Sequence, residues 1–301
     1  MSELLQPIIS IVLTSILAYL VSSNNLSLIA GMAIGSRLMS TYVGLLISAI
    51  SVVLGFIVEG SKMVGYSVNQ STLAIILAIG ILMFAVGEYA KVPMSITGSL
   101  YMSWAASVTA ARGYVPLGVG IVVTLWLTTP IILSIASYAT YKAVTGALIR
   151  TNPIRGLALG RIMMVITVFM VGFSFGANNL GLLWSLTGFS KLGEVTIGVS
   201  SGLGILITGK RTLGQFSRGI FLPPPISGSL TQLFSFIMLE TSTLFSIPIS
   251  LTLCTLGSML GISAARGVRL INIRYVEAIV VGYILSMASS YAISLIILRL
   301  L

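Results

Sequence analysis

Histidine and aspartate are missing from this chain of 301 residues, and cysteine occurs once, as Cys254. Charged residues make up only 7% of it, against roughly 25% in an ordinary soluble domain. Each shortage closes a class of chemistry. Without His and Asp there is no Ser-His-Asp triad, no His-ligated haem and no His-Glu-x-x-His zinc site. One cysteine makes neither a disulfide framework nor a four-thiolate cluster. The acids are all glutamates: Glu3, Glu59, Glu88, Glu194, Glu240 and Glu277. The lysines, Lys62, Lys91, Lys142, Lys191 and Lys210, fall in connections or at the ends of apolar runs. A Ser-Lys dyad therefore finds no lysine at depth. The expectation is a protein that is not an enzyme and holds no cofactor.

What is present is apolar. Hydrophobic residues are 56% of the chain, and the mean hydropathy is +1.10. A soluble globule of this length would have too little polar surface to show to water. The apolar runs are long and continuous, which disfavours a β-barrel. The fold class expected is an all-α polytopic membrane protein. The net charge of +10 would suggest nucleic acid in a soluble chain. Here it is expected to collect in cytoplasmic loops and set orientation, with the bilayer as partner and no nucleic acid. Met1-Ser2-Glu3 lacks a basic leader, so the first apolar segment reads as a retained helix in the cell membrane.

A spanning helix needs about 20 mainly apolar residues. Such stretches lie near 5–22, 41–60, 71–90, 93–111, 116–141, 157–175, 193–209, 228–247, 249–266 and 275–298. Two shorter pieces, near 25–36 and 179–189, follow the polar or small stretches Ser22-Ser23-Asn24-Asn25 and Gly176-Ala177-Asn178-Asn179. They read as re-entrant or broken helices, which are tolerated at depth only where they line a cavity or are buried in protein. Pro223-Pro224-Pro225 reads as a stiff stop before the next span.

The chain repeats itself. Asn24-Asn25 recurs about 154 residues on as Asn178-Asn179. Pro93-Met94-Ser95-Ile96-Thr97 recurs as Pro248-Ile249-Ser250-Leu251-Thr252, and Ala110-Ala111-Arg112-Gly113 as Ala264-Ala265-Arg266-Gly267. Matches in one order at nearly one offset divide the chain into repeats 1–150 and 151–301. Each holds five spans and one broken piece, and an odd count inverts the second repeat. Charge supports this. With the loop carrying Lys142, Arg150, Arg155 and Arg161 on the cytoplasmic side, Arg37, Lys91, Lys210, Arg211, Arg218, Arg266, Arg269 and Arg274 join it. Only Lys62, Arg112, Lys191 and Arg299 then lie outside, as do both termini.

Inverted repeats with broken helices are typical of secondary transporters, with the site at the repeat interface near the midplane. Asn24, Asn25, Asn178 and Asn179 supply amide donors there, and Ser23, Ser95, Thr97, Ser99, Ser250 and Thr252 supply hydroxyls. Helices beginning after the two Asn-Asn turns would aim their positive ends at the same centre. Neutral donors of this kind suit an oxyanion. The same oxygens suit a cation such as sodium. An Asn-Asn doublet is otherwise a helix cap, and membrane Ser and Thr otherwise bond their own helix. Gly31, Gly35, Gly55 and Gly60 read as packing glycines, Cys254 as a small packing residue, and Trp104, Trp126 and Trp184 as core or lipid-facing. Glu240 lies inside a span, where an ionisable group is costly, and is a proton or cation candidate.

These motifs resemble the inorganic phosphate transporter (PiT) family, which includes phosphate permeases and some sulfate permeases. The family's Gly-Ala-Asn-Asp motif appears as Ser22-Ser23-Asn24-Asn25 and as Gly176-Ala177-Asn178-Asn179. Its Pro-Val-Ser-Thr-Thr-His motif appears as Pro93-Met94-Ser95-Ile96-Thr97-Gly98 and as Pro248-Ile249-Ser250-Leu251-Thr252-Leu253. The chain departs from the pattern at charged positions. The motif Asp is Asn25 and Asn179, a further Asn is Leu28 and Leu182, and the His is Gly98 and Leu253. A family Glu is Gln232, with an apolar counterpart near Val52.

The resemblance implies alternating-access transport of inorganic phosphate or a similar oxyanion, coupled to sodium or protons. The substrate site it implies is Ser23, Asn24, Asn25, Ser95, Thr97, Ser99, Gly176, Asn178, Asn179, Ser250 and Thr252. The coupling-ion candidates are Asn25, Asn179, Gln232 and Glu240. Loss of the carboxylates leaves sulfate as a competing substrate and an uncoupled anion channel or uniporter as a competing mechanism. A non-transport scaffold is the third reading, and a homodimer is one open assembly. The transport reading expects inhibition when Asn25 or Asn179 becomes Ala.

Overall fold

A computed structural model describes residues 2–148, 153–216, 224–268 and 272–301, and the regular structure among them is helical throughout. The helices are α1 (Ser2–Ile29), α2 (Gly31–Gly35), α3 (Thr41–Glu59), α4 (Gln70–Ala90), α5 (Ile96–Arg112) and α6 (Leu117–Leu148). They are followed by α7 (Pro153–Phe175), α8 (Gly181–Leu186), α9 (Lys191–Phe216), α10 (Pro225–Leu244), α11 (Leu251–Arg266) and α12 (Ile273–Leu300). A 3₁₀ turn, Gly60–Lys62, ends α3, and a π-helical turn, Gly176–Leu180, joins α7 to α8. The expected boundary at 150/151, together with Arg150, Arg218, Pro223 and Arg269, lies outside the described residues.

Seven helical stretches among the described residues are long and apolar enough to cross a membrane. They are α1, α3, α4, α6, the joined α7–π–α8 stretch, α9 and α12. Three of the ten expected spans, α5, α10 and α11, are not among these seven. Helices α5 and α11 have 17 and 16 residues, at or below the short limit for spanning. Helix α10 is long enough but carries Ser229, Thr231, Gln232, Ser235 and Glu240. It packs between α7 and α11, so its polar side chains need no lipid.

The distribution of polarity is that of a membrane protein. Large apolar side chains such as Ile121, Leu127, Ile131 and Ile135 of α6 stand on the outside. Ser48, Ser99, Ser103, Ser137, Ser174 and Ser258 are fully buried. Small polar residues inside let backbones approach and supply interhelical bonds. A Cβ on Gly55 would come within 1.9 Å of the Phe173 carbonyl oxygen, and one on Gly176 within 2.0 Å of that of Val52. The packing expected of Gly55 is thus seen where α3 crosses α7.

The helix pairing follows the sequence repeat. Helix α1 packs on α9 and α7 on α3; α5 packs on α12 and α11 on α6; α1 packs on α4 and α7 on α10. Replacing each helix of the first six by its counterpart among the last six returns the same pairs. The repeated motifs stand at equivalent places, although the Ser95 side chain caps its helix and that of Ser250 does not. Ser95 precedes the first turn of α5 and Ser250 that of α11. Both helices end on Ala-Ala-Arg-Gly, with Arg112 or Arg266 in the last turn and a left-handed glycine after it, Gly113 at φ 78° and Gly267 at φ 67°. Glycine takes that conformation without strain, and the arginine complements the negative helix end.

The two Asn-Asn pairs depart from expectation. Helix α1 runs unbroken through Ser22-Ser23-Asn24-Asn25 and breaks only at Ala30. The 25–36 piece shrinks to the short α2. Asn178-Asn179 sits within the π turn, with α7 and α8 continuous around it. Neither pair starts a helix. The free helix N-termini come from the Pro-x-Ser motifs, after the extended segments that precede α5 and α11.

Candidate functional site

The site is built where the starts of α5 and α11 meet the π turn. Ser95 caps α5 by accepting from the Gly98 N–H at 3.0 Å, and the Ser99 hydroxyl donates to the Ser95 carbonyl at 2.8 Å. The Ser95 N–H donates to Ser286 Oγ of α12 at 3.2 Å. A missing side chain at Gly282 lets α12 lie against the Pro93 carbonyl, 2.2 Å from where a Cβ would stand. In the second half, Ser250 Oγ bonds the Tyr283 hydroxyl of α12. Thr252 and Ser95 also lie within hydrogen-bonding reach of that hydroxyl. Both Pro-x-Ser motifs therefore converge on one buried tyrosine.

The π turn brings Asn179 to the same place. Thr97 Oγ1 donates to Asn179 Oδ1 at 2.5 Å, joining the start of α5 to the second half of the chain. Asn179 is only 5% exposed, yet its Nδ2 group has no partner in the protein. A buried amide donor left open costs about 1–3 kcal/mol. Through Thr97 it stands beside the first turn of a 17-residue helix, the end that carries the positive pole of the helix dipole. A π turn inserts one residue into the helical register, a device common at functional sites. Its cause here is local: Gly176 and Gly181 admit the backbone of the α3 end, the Val52 carbonyl against one and the Gly60 carbonyl against the other.

Asn178 is placed differently. Its Nδ2 donates to Thr243 Oγ1 at 3.1 Å and to the Ile247 carbonyl at 3.0 Å, and its Oδ1 accepts from the Ile249 N–H at 3.0 Å. Every polar position of the amide is taken, so Asn178 clamps the α10–α11 connection to the π turn. Gly176 is a packing position. Gln232 donates to the Ile29 carbonyl at 2.6 Å and accepts from Thr167 Oγ1 at 2.7 Å, which ties α10 and α7 to the break after α1. Asn25 donates within its own helix to the Val21 carbonyl at 2.9 Å, and Ser23 to Leu20 at 3.1 Å. Asn24 and Asn25 are half-buried, and no bond joins Ser23, Asn24 or Asn25 to Thr97, Asn179 or Ser250. The first Asn-Asn pair is thus not part of the assembly around Tyr283.

Tyr283 and Ser286 carry no sequence signal, since they repeat no motif of the first half. Trp126 is more than core: its indole N–H donates to the Pro248 carbonyl at 2.8 Å. Tyr66, in the connection before α4, stacks edge-on against Tyr101 and Trp104 and donates to the Ser246 carbonyl at 2.5 Å. Burial pushes its phenol well above the ordinary range. Glu240 accepts from Ser174 Oγ at 2.5 Å and lies beside Glu59. Cys254 is buried on α11, as a packing residue should be. Among the described residues no group of three His, Cys, Asp or Glu side chains is placed to hold a metal ion.

Comparison with known proteins places these features. Residues 151–294 match the model of the phosphate transporter family. A protein named "Putative phosphate permease" from Methanocaldococcus jannaschii is 24% identical over 297 residues, 97% of each chain. A protein of the same name from Chlamydia trachomatis is 27% identical over 154 residues, 46% of this chain and 36% of its own. The fold matches a solved structure titled "The sodium-dependent phosphate transporter" with a TM-score of 0.80, at 16% identity, over 97% of this chain and 98% of that one. The resemblance read from the motifs is therefore shown in sequence and in fold.

Proposed function

We propose that the chain is a member of the phosphate transporter family and carries inorganic phosphate across the membrane by alternating access between two inverted repeats. The observation that carries this reading is the open Nδ2 donor of Asn179, buried beside the start of α5. Thr97 fixes the amide through its oxygen, so the free N–H groups face the other way. The hydroxyls of Ser95, Ser250 and Thr252 lie at the starts of α5 and α11, and the Tyr283 hydroxyl meets that of Ser250. Neutral donors with helix N-termini form a binding place for a phosphate without a buried arginine. The family match and the relatives' names support the substrate, and the exchange symmetry of the helix pairs supports the two-repeat reading.

The remaining roles divide by geometry. Asn179, Thr97, Ser95, Ser250 and Thr252 contact the anion. Asn178, Gly176 and Gln232 hold the frame. A coupling sodium ion or proton is assigned to Asn179 or Glu240, since Gln232 is fully engaged and Asn25 bonds its own helix. Sulfate is a second reading. Asn25 and Asn179 stand where the family has Asp, and a site without those carboxylates does not repel a fully ionised dianion.

The test is uptake of radiolabelled phosphate into liposomes holding the purified protein, with unlabelled sulfate as competitor. It is run with and without an inward sodium or proton gradient. Saturable phosphate uptake driven by one gradient, lost in Asn179→Ala, is the expected result. Stronger competition by sulfate than by phosphate transfers the site to sulfate. Uptake indifferent to both gradients makes the protein a uniporter, and no uptake of either anion ends the transport reading.

A further inference from the structure

Helices α1, α4 and α9 begin at one end of the molecule. Gly204 of α9 lies against Tyr19 of α1 and Gly209 against Leu26, so these two helices run in parallel. Ser10 of α1 meets Gln70 of α4, and Leu17 meets Gly80, so α4 runs the same way. Between the three starts is a cavity of about 150 Å³. It shares no lining residue with the assembly around Asn179 and Tyr283. Its wall includes Thr187, which follows α8, and α8 follows the π turn. The six residues of α8, about 9 Å of helical rise, therefore separate the two places.

The cavity is rich in donors and holds no charged side chain in its lining. Thr187 and Thr196 give their hydroxyl protons to the carbonyls of Trp184 and Leu192, at 2.7 and 2.8 Å. Thr14 does not. It is only 2% exposed, it lines the cavity, and its hydroxyl bonds nothing in the protein. Ser10, equally buried, reaches the Gln70 carbonyl at 3.5 Å, longer than an ordinary hydroxyl bond. A buried hydroxyl without a partner carries a desolvation penalty that a polar guest relieves. The helix starts add donors. Asn69 caps α4 by accepting from the Thr72 N–H, and Ser190 caps α9 by accepting from the Gly193 N–H. The other first-turn N–H groups have no partner within their helices, and the positive dipole ends lie on the same side. Glu194, in the first turn of α9, is tied to Lys191 at 2.7 Å.

We propose that this cavity binds a phosphate group, with Thr14 and Ser10 as hydroxyl donors and the starts of α4 and α9 as backbone donors. A tetrahedral anion uses such donors without a basic side chain. Two sources supply that group. One is free phosphate, held apart from the Asn179 site. The other is a phospholipid headgroup, whose tails would lie along the exposed Leu5, Ile8 and Val12 of α1. The proposal goes beyond the transport reading and does not need Asn179 to bind phosphate.

The experiment uses the purified full chain carrying Asn179→Ala, which disables the other site, and Gln70→Cys, a label at the exposed edge of the cavity. Cys254 is fully buried and adds little background. Maleimide labelling of the lipid-stripped protein is timed with inorganic phosphate, with sodium chloride of equal ionic strength, with phosphatidylglycerol, and with diacylglycerol, which lacks the phosphate. Slowing that saturates with phosphate but not with chloride is the expected result and assigns the free anion. Slowing by phosphatidylglycerol, and by neither phosphate nor diacylglycerol, assigns the lipid headgroup. Adding Thr14→Val, a change of similar volume, should raise the half-protecting concentration about tenfold or more, the worth of one donor to a charged group, while the Tm holds. Slowing by none of the four overturns the proposal. So does equal slowing by chloride or by diacylglycerol, and so does protection that Thr14→Val leaves unchanged. If Thr14→Val does not fold, Ser10→Ala takes its place with the same expected shift and the same overturning result.

Discussion

The two asparagines of the π turn are adjacent and both buried, yet their amides have opposite fates, and substitution should separate them. Asn178→Ala strips partners from Thr243, the Ile247 carbonyl and the Ile249 N–H. Buried groups left unsatisfied cost about 1–3 kcal/mol each, so a loss on the order of 3 kcal/mol is expected, seen as a lower Tm in detergent. Asn179→Ala frees only Thr97 and should leave the Tm nearly unchanged. Its effect falls on uptake, where one donor to a charged ligand is worth about 1.5–3 kcal/mol. That predicts a fall of about tenfold to a hundredfold in kcat/KM for phosphate. Asn25→Ala, which breaks one bond within α1, should do less than either. Equal losses of uptake in Asn25→Ala and Asn179→Ala would restore the symmetric site that the repeat alone suggests. The sequence marks both doublets alike. What distinguishes them is the neighbour: Gly176 and Gly181 accept the backbone of α3, whereas Ser22 has a side chain where Gly176 has none. A doublet read in isolation carries no trace of that contact.

Among the elements, α3 and α7 set the geometry of the site through backbone contact. Gly55 and Gly176 each face a carbonyl oxygen at a distance no Cβ can occupy. The crossing fixes the π turn, and the π turn fixes Asn179. Gly176→Ala should therefore push the helices apart, at an overpacking cost of about 1–3 kcal/mol. Phosphate uptake should fall with it, although Gly176 itself offers no side chain to the anion. Gly198→Ala on α9 is the control, since its Cβ would meet only Phe56 ring atoms at 3.8 Å or more. A Gly176→Ala protein with wild-type Tm and uptake would remove α3 as the cause of the turn. The ends of helices α5 and α11 were legible in advance as repeated motifs, Pro-x-Ser before the first turn and Ala-Ala-Arg-Gly at the last. Their short length was not, because the apolar run continues into the extended Pro segments. The bond between Ser174 and Glu240 is likewise silent in the sequence. It joins residues far apart in the chain through a crossing that periodicity does not encode.

At the scale of the molecule, the remaining question is whether the second repeat is inverted in the membrane. Hydropathy predicted the class and the motif offset the repeat, and the helix pairs exchange in that same register. The helix pairs do not fix which face is cytoplasmic. Equivalent positions do. Tyr114 follows α5 and Val268 follows α11, each just beyond its Arg-Gly cap, and they are 59% and 45% exposed. In parallel repeats both would lie on one face. In inverted repeats they lie on opposite faces, with Tyr114 outside and Val268 among the cytoplasmic arginines. The lone native cysteine, Cys254, is fully buried and contributes little background to labelling. Tyr114→Cys in intact cells should thus react with a membrane-impermeant maleimide, while Val268→Cys should react only after the membrane is opened. The reverse pattern keeps the inversion and turns the molecule over, moving both termini inside. Labelling of both from one side defeats the inverted repeat itself. The alternating-access mechanism would lose its support with it, because two gates on opposite faces require each half to present the same short helix in opposite senses.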